Sequence, residues 1–208
     1  APSLAISDPR RSPCWSDKAI AGAFEPKDEM SKHTENSTYR EKLIEHLFVG
    51  ELLKKSWIHD RCDLEVAKPE VDNSGYDIIL EAHGVIRHVQ LKTSYLGSKT
   101  AKQNLHMRLA AKQSGCVLWI YFDQETLALG PFLFFGAAPG QPLASIASAK
   151  VAKHTRPNHT GAKAERPNIR EINRGQFQSY ATLDGIYDAL FGPPPSAETP
   201  NQLSLESV

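Results

Sequence analysis

The chain carries no excess of either charge: Lys plus Arg number 24 and Asp plus Glu number 24 in 208 residues. That balance excludes a globally basic nucleic-acid binder, so any surface for a polyanion has to be local. Cysteine is scarce. Cys14, Cys62 and Cys116 are odd in number, far apart and never in a Cys-x-x-Cys pair, which leaves no disulfide framework and no zinc knuckle. A reducing, cytoplasmic setting is the expectation. Long apolar runs are missing as well. The longest, 117–122 and 132–138, have strand length, against the ~20 residues a membrane span needs. The first residues lack the apolar core of a signal peptide. No internal repeat is present.

The length suits one domain with a hydrophobic core of its own. Residues 1–33 are polar, rich in Pro, Ser and charge, and are expected to form an irregular arm, although Trp15 and the run 19–24 can dock on a body. The domain is expected over 34–192, and Gly192-Pro-Pro-Pro opens a tail, 193–208, expected to be disordered. Within the domain, Thr38-Tyr-Arg-Glu41 matches a capping box. Leu43, Ile44, Leu47, Phe48 and Leu52 then recur at helical spacing up to Ser56-Trp57. A strand is expected within 63–67, and Asp72-Asn-Ser-Gly75 is a turn signal. Residues 100–113 contain helix formers with a basic face and predict a helix. Cys116 to Phe122 reads as a strand buried on both faces, and 131–137 as another. The segment 140–173 holds Lys150, Lys153, Arg156, Lys163, Arg166 and Arg170 and is expected to be largely loop. Residues 182–191 predict a short amphipathic helix.

Two strand-like runs, 76–81 and 85–93, flank His83-Gly84. A two-residue turn there, with glycine suited to positive φ, sets Ala82 against Val85. Asp77 then lies opposite Gln90, and their side chains leave the same face. Lys92 lies two residues further along that face, and His88 on its other side. An acid, an amide and a lysine so grouped suit a metal-assisted phosphodiesterase. Mg²⁺ takes hard oxygen ligands from carboxylates, amides, water and phosphate. A neighbouring lysine can position the attacking water and stabilise charge building on the phosphate.

These residues resemble the PD-(D/E)xK nuclease superfamily, on Gly75-Tyr-Asp77 followed by Val89-Gln-Leu-Lys-Thr-Ser94, a preceding helix carrying an acid and a following apolar strand. The resemblance covers 39–122. It implies an α/β, restriction-endonuclease-like three-layer core, with a central mixed β-sheet and helices on both faces. It implies a Mg²⁺-dependent endonuclease (Mn²⁺ substituting) acting on nucleic acid, with DNA as the expected substrate, no organic cofactor, and pairing of two chains into a homodimer. Carried over by position, the catalytic residues are Glu45, Asp77, Gln90 and Lys92. The metal ligands are Glu45, Asp77, Gln90 and the Leu91 backbone carbonyl. Glu45 is placed by Leu52, seven positions on, and by the helix end near Ser56. Ser94, Lys99, Lys102, Arg108 and Lys112 are the expected nucleic-acid contacts. The sequence departs from the pattern twice: Tyr76 replaces the name-giving proline, and Gln90 replaces an acid. One fewer negative charge weakens a Mg²⁺ site, so the alternative is a nuclease-fold module that binds nucleic acid or a protein partner without turnover.

Plainer readings stand beside these. Asp77 and Lys92 can form a cross-strand ion pair. Glu45 can be a solvated flank, with Glu51 the substitute acid, and Glu41 is read as the capping partner of Thr38. His88 is more simply a packed histidine. The 150–174 segment is either an electrostatic arm for nucleic acid or a solvated loop. His154 and His159, lacking a nearby Cys or acid, are a weak metal pair.

Overall fold

The computed structural model describes residues 35–59, 61–71, 74–157 and 161–193. The arm expected at 1–33 and the tail expected at 193–208, apart from Pro193, lie outside these residues, as do Asp72, Asn73 and His159. Helix α1 spans Ser37–Ile58. Strands follow as β1 (Glu65–Ala67), β2 (Ile78–Ala82), β3 (Val85–Tyr95), β4 (Lys102–His106), β5 (Gly115–Phe122), β6 (Leu129–Gly136), β7 (Lys150–Lys153), β8 (Glu165–Asn173) and β9 (Gln178–Tyr180). Helix α2, Leu183–Phe191, closes the series. Among the described residues no helix is long and apolar enough to cross a membrane.

The protein is α/β, with a central mixed sheet ordered β1-β2-β3-β5-β6-β9. Only β3 and β5 run parallel; the other neighbours are antiparallel. All eight residues of β5 are buried, because both faces of the strand are covered. Cys116, Leu118, Ile120 and Phe122 enter one core with Ile44, Phe48 and Leu52 of α1 and Ile186, Leu190 and Phe191 of α2. Val117, Trp119 and Tyr121 enter a second core with Leu105, Leu109, Ile172 and Phe177. Each fully buried aliphatic or aromatic side chain is worth about 1.5–3 kcal/mol, and the three from α1 favour its packing on the sheet.

Both helices therefore lie on one face. The other face, where a helix was expected, is covered by a three-stranded sheet ordered β4-β8-β7. Residues 100–113 form β4 and a 3-10 turn, Met107–Ala111, instead of a helix. Pairing of β4 with β8 along all five residues, Lys102↔Asn173 to His106↔Ile169, outweighs their helical propensity. The segment expected as loop supplies β7 and β8. Helix α1 begins before Thr38, so Thr38 is no cap and Glu41 is no capping partner. Helix α2 is as expected, and the Thr182 side chain accepts from the Gly185 amide at its start.

One charge is buried under α2. Arg87, with no exposed surface, donates through Nε to the Leu190 carbonyl at 2.6 Å and through Nη2 to the Ala189 and Ala137 carbonyls at 3.0 and 3.1 Å. It satisfies the free carbonyls at the C-terminal end of α2, where the helix dipole favours a cation. Burial lowers its pKa.

Candidate active site

The β2–β3 hairpin has the register its turn dictates. His83 and Gly84 both take positive φ, 53° and 71°, as a type I′ turn requires, and the ladder runs from Ala82↔Val85 to Ile78↔Val89. The Asp77 amide donates to the Val89 carbonyl at 2.9 Å, one residue out of step with that ladder, and Asp77 lines one cavity with Gln90. Ile78 and Leu80 belong to the helix-side core, so Asp77, Gln90 and Lys92 project towards the small sheet.

Strand β2 starts at Ile78, but β3 runs on to Tyr95. The edge of β3 beyond Gln90 therefore has no β2 neighbour, and this forms a notch. The Leu91 amide points into it and donates to Asp77 Oδ2 at 2.6 Å. A strand residue's N–H and C=O leave on the same side, so the Leu91 carbonyl also faces the notch. Helix α1 closes the notch from the helix side with Glu41 and Glu45, one turn apart.

Two cavities meet here. One, of about 290 Å³, is lined by Glu41, Glu45, Asp77, Leu91 and Lys92 among others. The second, of about 280 Å³, is lined by Gly75, Asp77, Gln90, Lys92, Asn104 and Arg166 among others. Asp77 and Lys92 belong to both. Gln90 lines the cavity that Glu45 does not, so the four expected catalytic residues share no one cavity. Gln90 Oε1 is buried and accepts no hydrogen bond. A buried acceptor left so is costly, and Gln90 lines the second cavity together with Asp77.

Glu45 is buried, 5% exposed, and ion-pairs with Lys42 at 2.9 Å and with Lys68. Burial pushes its pKa up, but the two ammonium groups outweigh burial and hold the carboxyl below its ordinary value. Its hydrogen bond in turn raises the pKa of Lys42. Glu51, the substitute, is half exposed and pairs with Lys54 at 3.3 Å; it is a solvated acid, not a cavity residue.

Among the described residues no group of three His, Cys, Asp or Glu can hold a metal ion. The donors around the notch are three carboxylates (Glu41, Glu45 and Asp77), one amide oxygen and one carbonyl. All are hard oxygens, and that set fits Mg²⁺, which keeps waters and takes phosphate oxygens for the remainder of its shell.

The expected nucleic-acid contacts divide. Ser94 is a correction: it is 8% exposed, and its Oγ accepts from the buried Trp119 indole at 2.9 Å, so it serves the second core and not a phosphate. Lys102 pairs with Glu171 at 2.7 Å and lines a groove of about 620 Å³ that runs from Lys92 across the small sheet. Lys99, Arg108 and Lys112 line neither cavity nor this groove; Lys112 lies over the Tyr76 ring at 5.3 Å. His88 is structural, bonded through Nδ1 to the Gln113 carbonyl at 2.8 Å and set edge-on to Tyr76. The groove brings in Lys150, Lys153, Lys163 and Arg166, visible in the sequence only as a basic stretch. Asn104 was missed, its strand having been read as helix.

No protein-family model matches the chain, and no curated protein matches it. Among solved structures it is similar to a bacterial homing endonuclease, at 17% identity over 59% of this chain and 83% of that one, with a TM-score of 0.29. At that TM-score the two folds are not to be equated.

Proposed function

We propose that this chain is a Mg²⁺-dependent endonuclease of the PD-(D/E)xK kind that hydrolyses phosphodiester bonds in DNA, with Mn²⁺ able to substitute. The observation that carries the reading is the position of Asp77 and Lys92. They line both cavities of the notch, with Glu45 and the Leu91 carbonyl on one side and the unsatisfied Gln90 Oε1 on the other. Glu45, Asp77, Gln90 and the Leu91 carbonyl would hold the metal. When bound, Mg²⁺ supplies Lewis acidity towards the phosphate and its coordinated water. Asp77 is itself fixed by the Leu91 amide, which presets its carboxylate. Lys92 orients the attacking water and stabilises the negative charge that develops on the phosphate oxygens. A pair of chains would bring two such centres to the two strands of a duplex in one encounter.

One observation favours a second reading, a nuclease-fold module that binds nucleic acid without turnover. Lys42 and Lys68 already neutralise Glu45, and Gln90 adds no charge. Titration with Mn²⁺, followed by the loss of its free paramagnetic signal, separates the two. The endonuclease reading expects binding at millimolar or lower concentration that Asp77→Asn abolishes. DNA binding with no Mn²⁺ uptake would establish the module instead.

A further inference from the structure

We infer that the small sheet β4-β8-β7 is a binding face for double-stranded DNA, with Lys153 and Lys163 as phosphate contacts and Arg166 and Asn104 at the point where the duplex enters the notch. Among the described residues the groove across this sheet is lined by six cations, Lys92, Lys102, Lys150, Lys153, Lys163 and Arg166, against one acid, Glu171. In a chain with no net charge that is a local concentration of one sign. Glu171 is committed to Lys102 at 2.7 Å and Lys150 at 3.6 Å, and both ammonium groups hold its carboxyl below the ordinary range. No acid among the described residues pairs with Lys153, Lys163 or Arg166. These three cations are open to phosphate.

Two features select a duplex as the occupant. The groove and the second cavity share Lys92, Asn104 and Arg166, so the basic face is continuous with the notch, as a polyanion running into a cutting centre requires. Among the described residues neither is lined by a Phe, Tyr or Trp. Single-strand binders use such rings as stacking platforms. A face of cations with one Asn and one Gln instead suits phosphates and paired base edges. Neighbouring strands lie ~4.8 Å apart, and the end of β7–β8 beyond β4, where Ala152 pairs with Arg166 and Lys153 with Glu165, is a two-stranded ribbon of a size the major groove of about 12 Å admits.

The catalytic meaning of this face rests on the endonuclease reading; the binding itself does not. The test is fluorescence anisotropy of the full chain in EDTA, with a labelled duplex of about 25 base pairs and with one of its strands alone, over a range of salt. The duplex should bind more tightly than the strand. Removal of two phosphate contacts in Lys153→Ala/Lys163→Ala should flatten the slope of log K against log salt by about 2. It should also weaken binding about 60-fold near 0.1 M salt, or about eightfold per contact. Glu171→Gln frees Lys102 and Lys150 and should tighten duplex binding and steepen the slope, a gain that misfolding cannot produce. Unchanged slopes in both variants, or a single strand that binds as tightly as the duplex, would overturn the inference. If the parent chain does not cleave DNA in Mg²⁺ while the slopes change as stated, the endonuclease reading fails and this face stands. If cleavage needs Asp77 and Lys92 but the slopes do not move, the reverse holds.

Discussion

Gly75 sets how closely the small sheet approaches the notch. It lines the second cavity with Asp77 and His106, and its φ is +77°. A Cβ there would lie 2.5 Å from His106 Cβ and 3.2 Å from His106 Cγ. The nearer atom is the root of the side chain, so rotation cannot relieve the overlap and β4 has to move by about 1 Å to restore ordinary contact. Gly75→Ala therefore adds two costs, about 1–2 kcal/mol for a left-handed alanine and about 1–3 kcal/mol for overpacking. Gly84→Ala is the control. Its φ of +71° is similar, but nothing lies within 4 Å of the added atom, so only the first cost applies. Urea unfolding of the two variants should place Gly75→Ala lower by about 1–3 kcal/mol. Gly75→Ala should also lose duplex cleavage under conditions where Gly84→Ala stays folded and retains it. Equal losses of stability would refute the claim that β4 is packed against the start of the hairpin.

Two further outcomes follow from contacts beside the site. Ser94→Ala leaves the buried Trp119 N–H without an acceptor and should cost about 1–3 kcal/mol in urea unfolding; full stability with lost DNA affinity would return Ser94 to the binding surface. Glu45 has a folded-state pKa held below its ordinary value by Lys42 and Lys68, so the stability it contributes is complete above about pH 4.5 and is lost as pH falls through the lower, folded value. Acid titration of Glu45→Gln, followed by circular dichroism, should show a flatter loss of stability below that pH than the parent chain, whereas a steeper loss would contradict the pairing.

What the sequence disclosed was what is local in it. His83-Gly84 and the alternation around it defined the hairpin and its register from Ile78↔Val89 to Ala82↔Val85, because turn chemistry and a period of two act over a few residues. The apolar arc of α1 placed Glu45 at its inner edge, and the continuous apolar run of β5 signalled cover on both faces. The small sheet was not visible. The composition of 100–113 favours a helix, and only pairing with β8, distant in sequence, makes Lys102 to His106 a strand. The same distance hid the groove, since Lys153, Lys163 and Arg166 reach Lys92 only through that pairing. Lys68, the second partner of Glu45, comes from the segment after β1 and has no periodic signal. Ser94 misled because a hydroxyl next to the notch reads as a phosphate contact until Trp119 is seen behind it.

The most direct measurement is cleavage of supercoiled plasmid by the parent chain, Asp77→Ala and Lys92→Ala, each confirmed folded, in Mg²⁺ and in EDTA. The account predicts nicked or linear product from the parent chain in Mg²⁺ alone, and a loss of at least about a hundredfold in either variant. Equal cleavage by all three proteins, or cleavage that persists in EDTA, would contradict it.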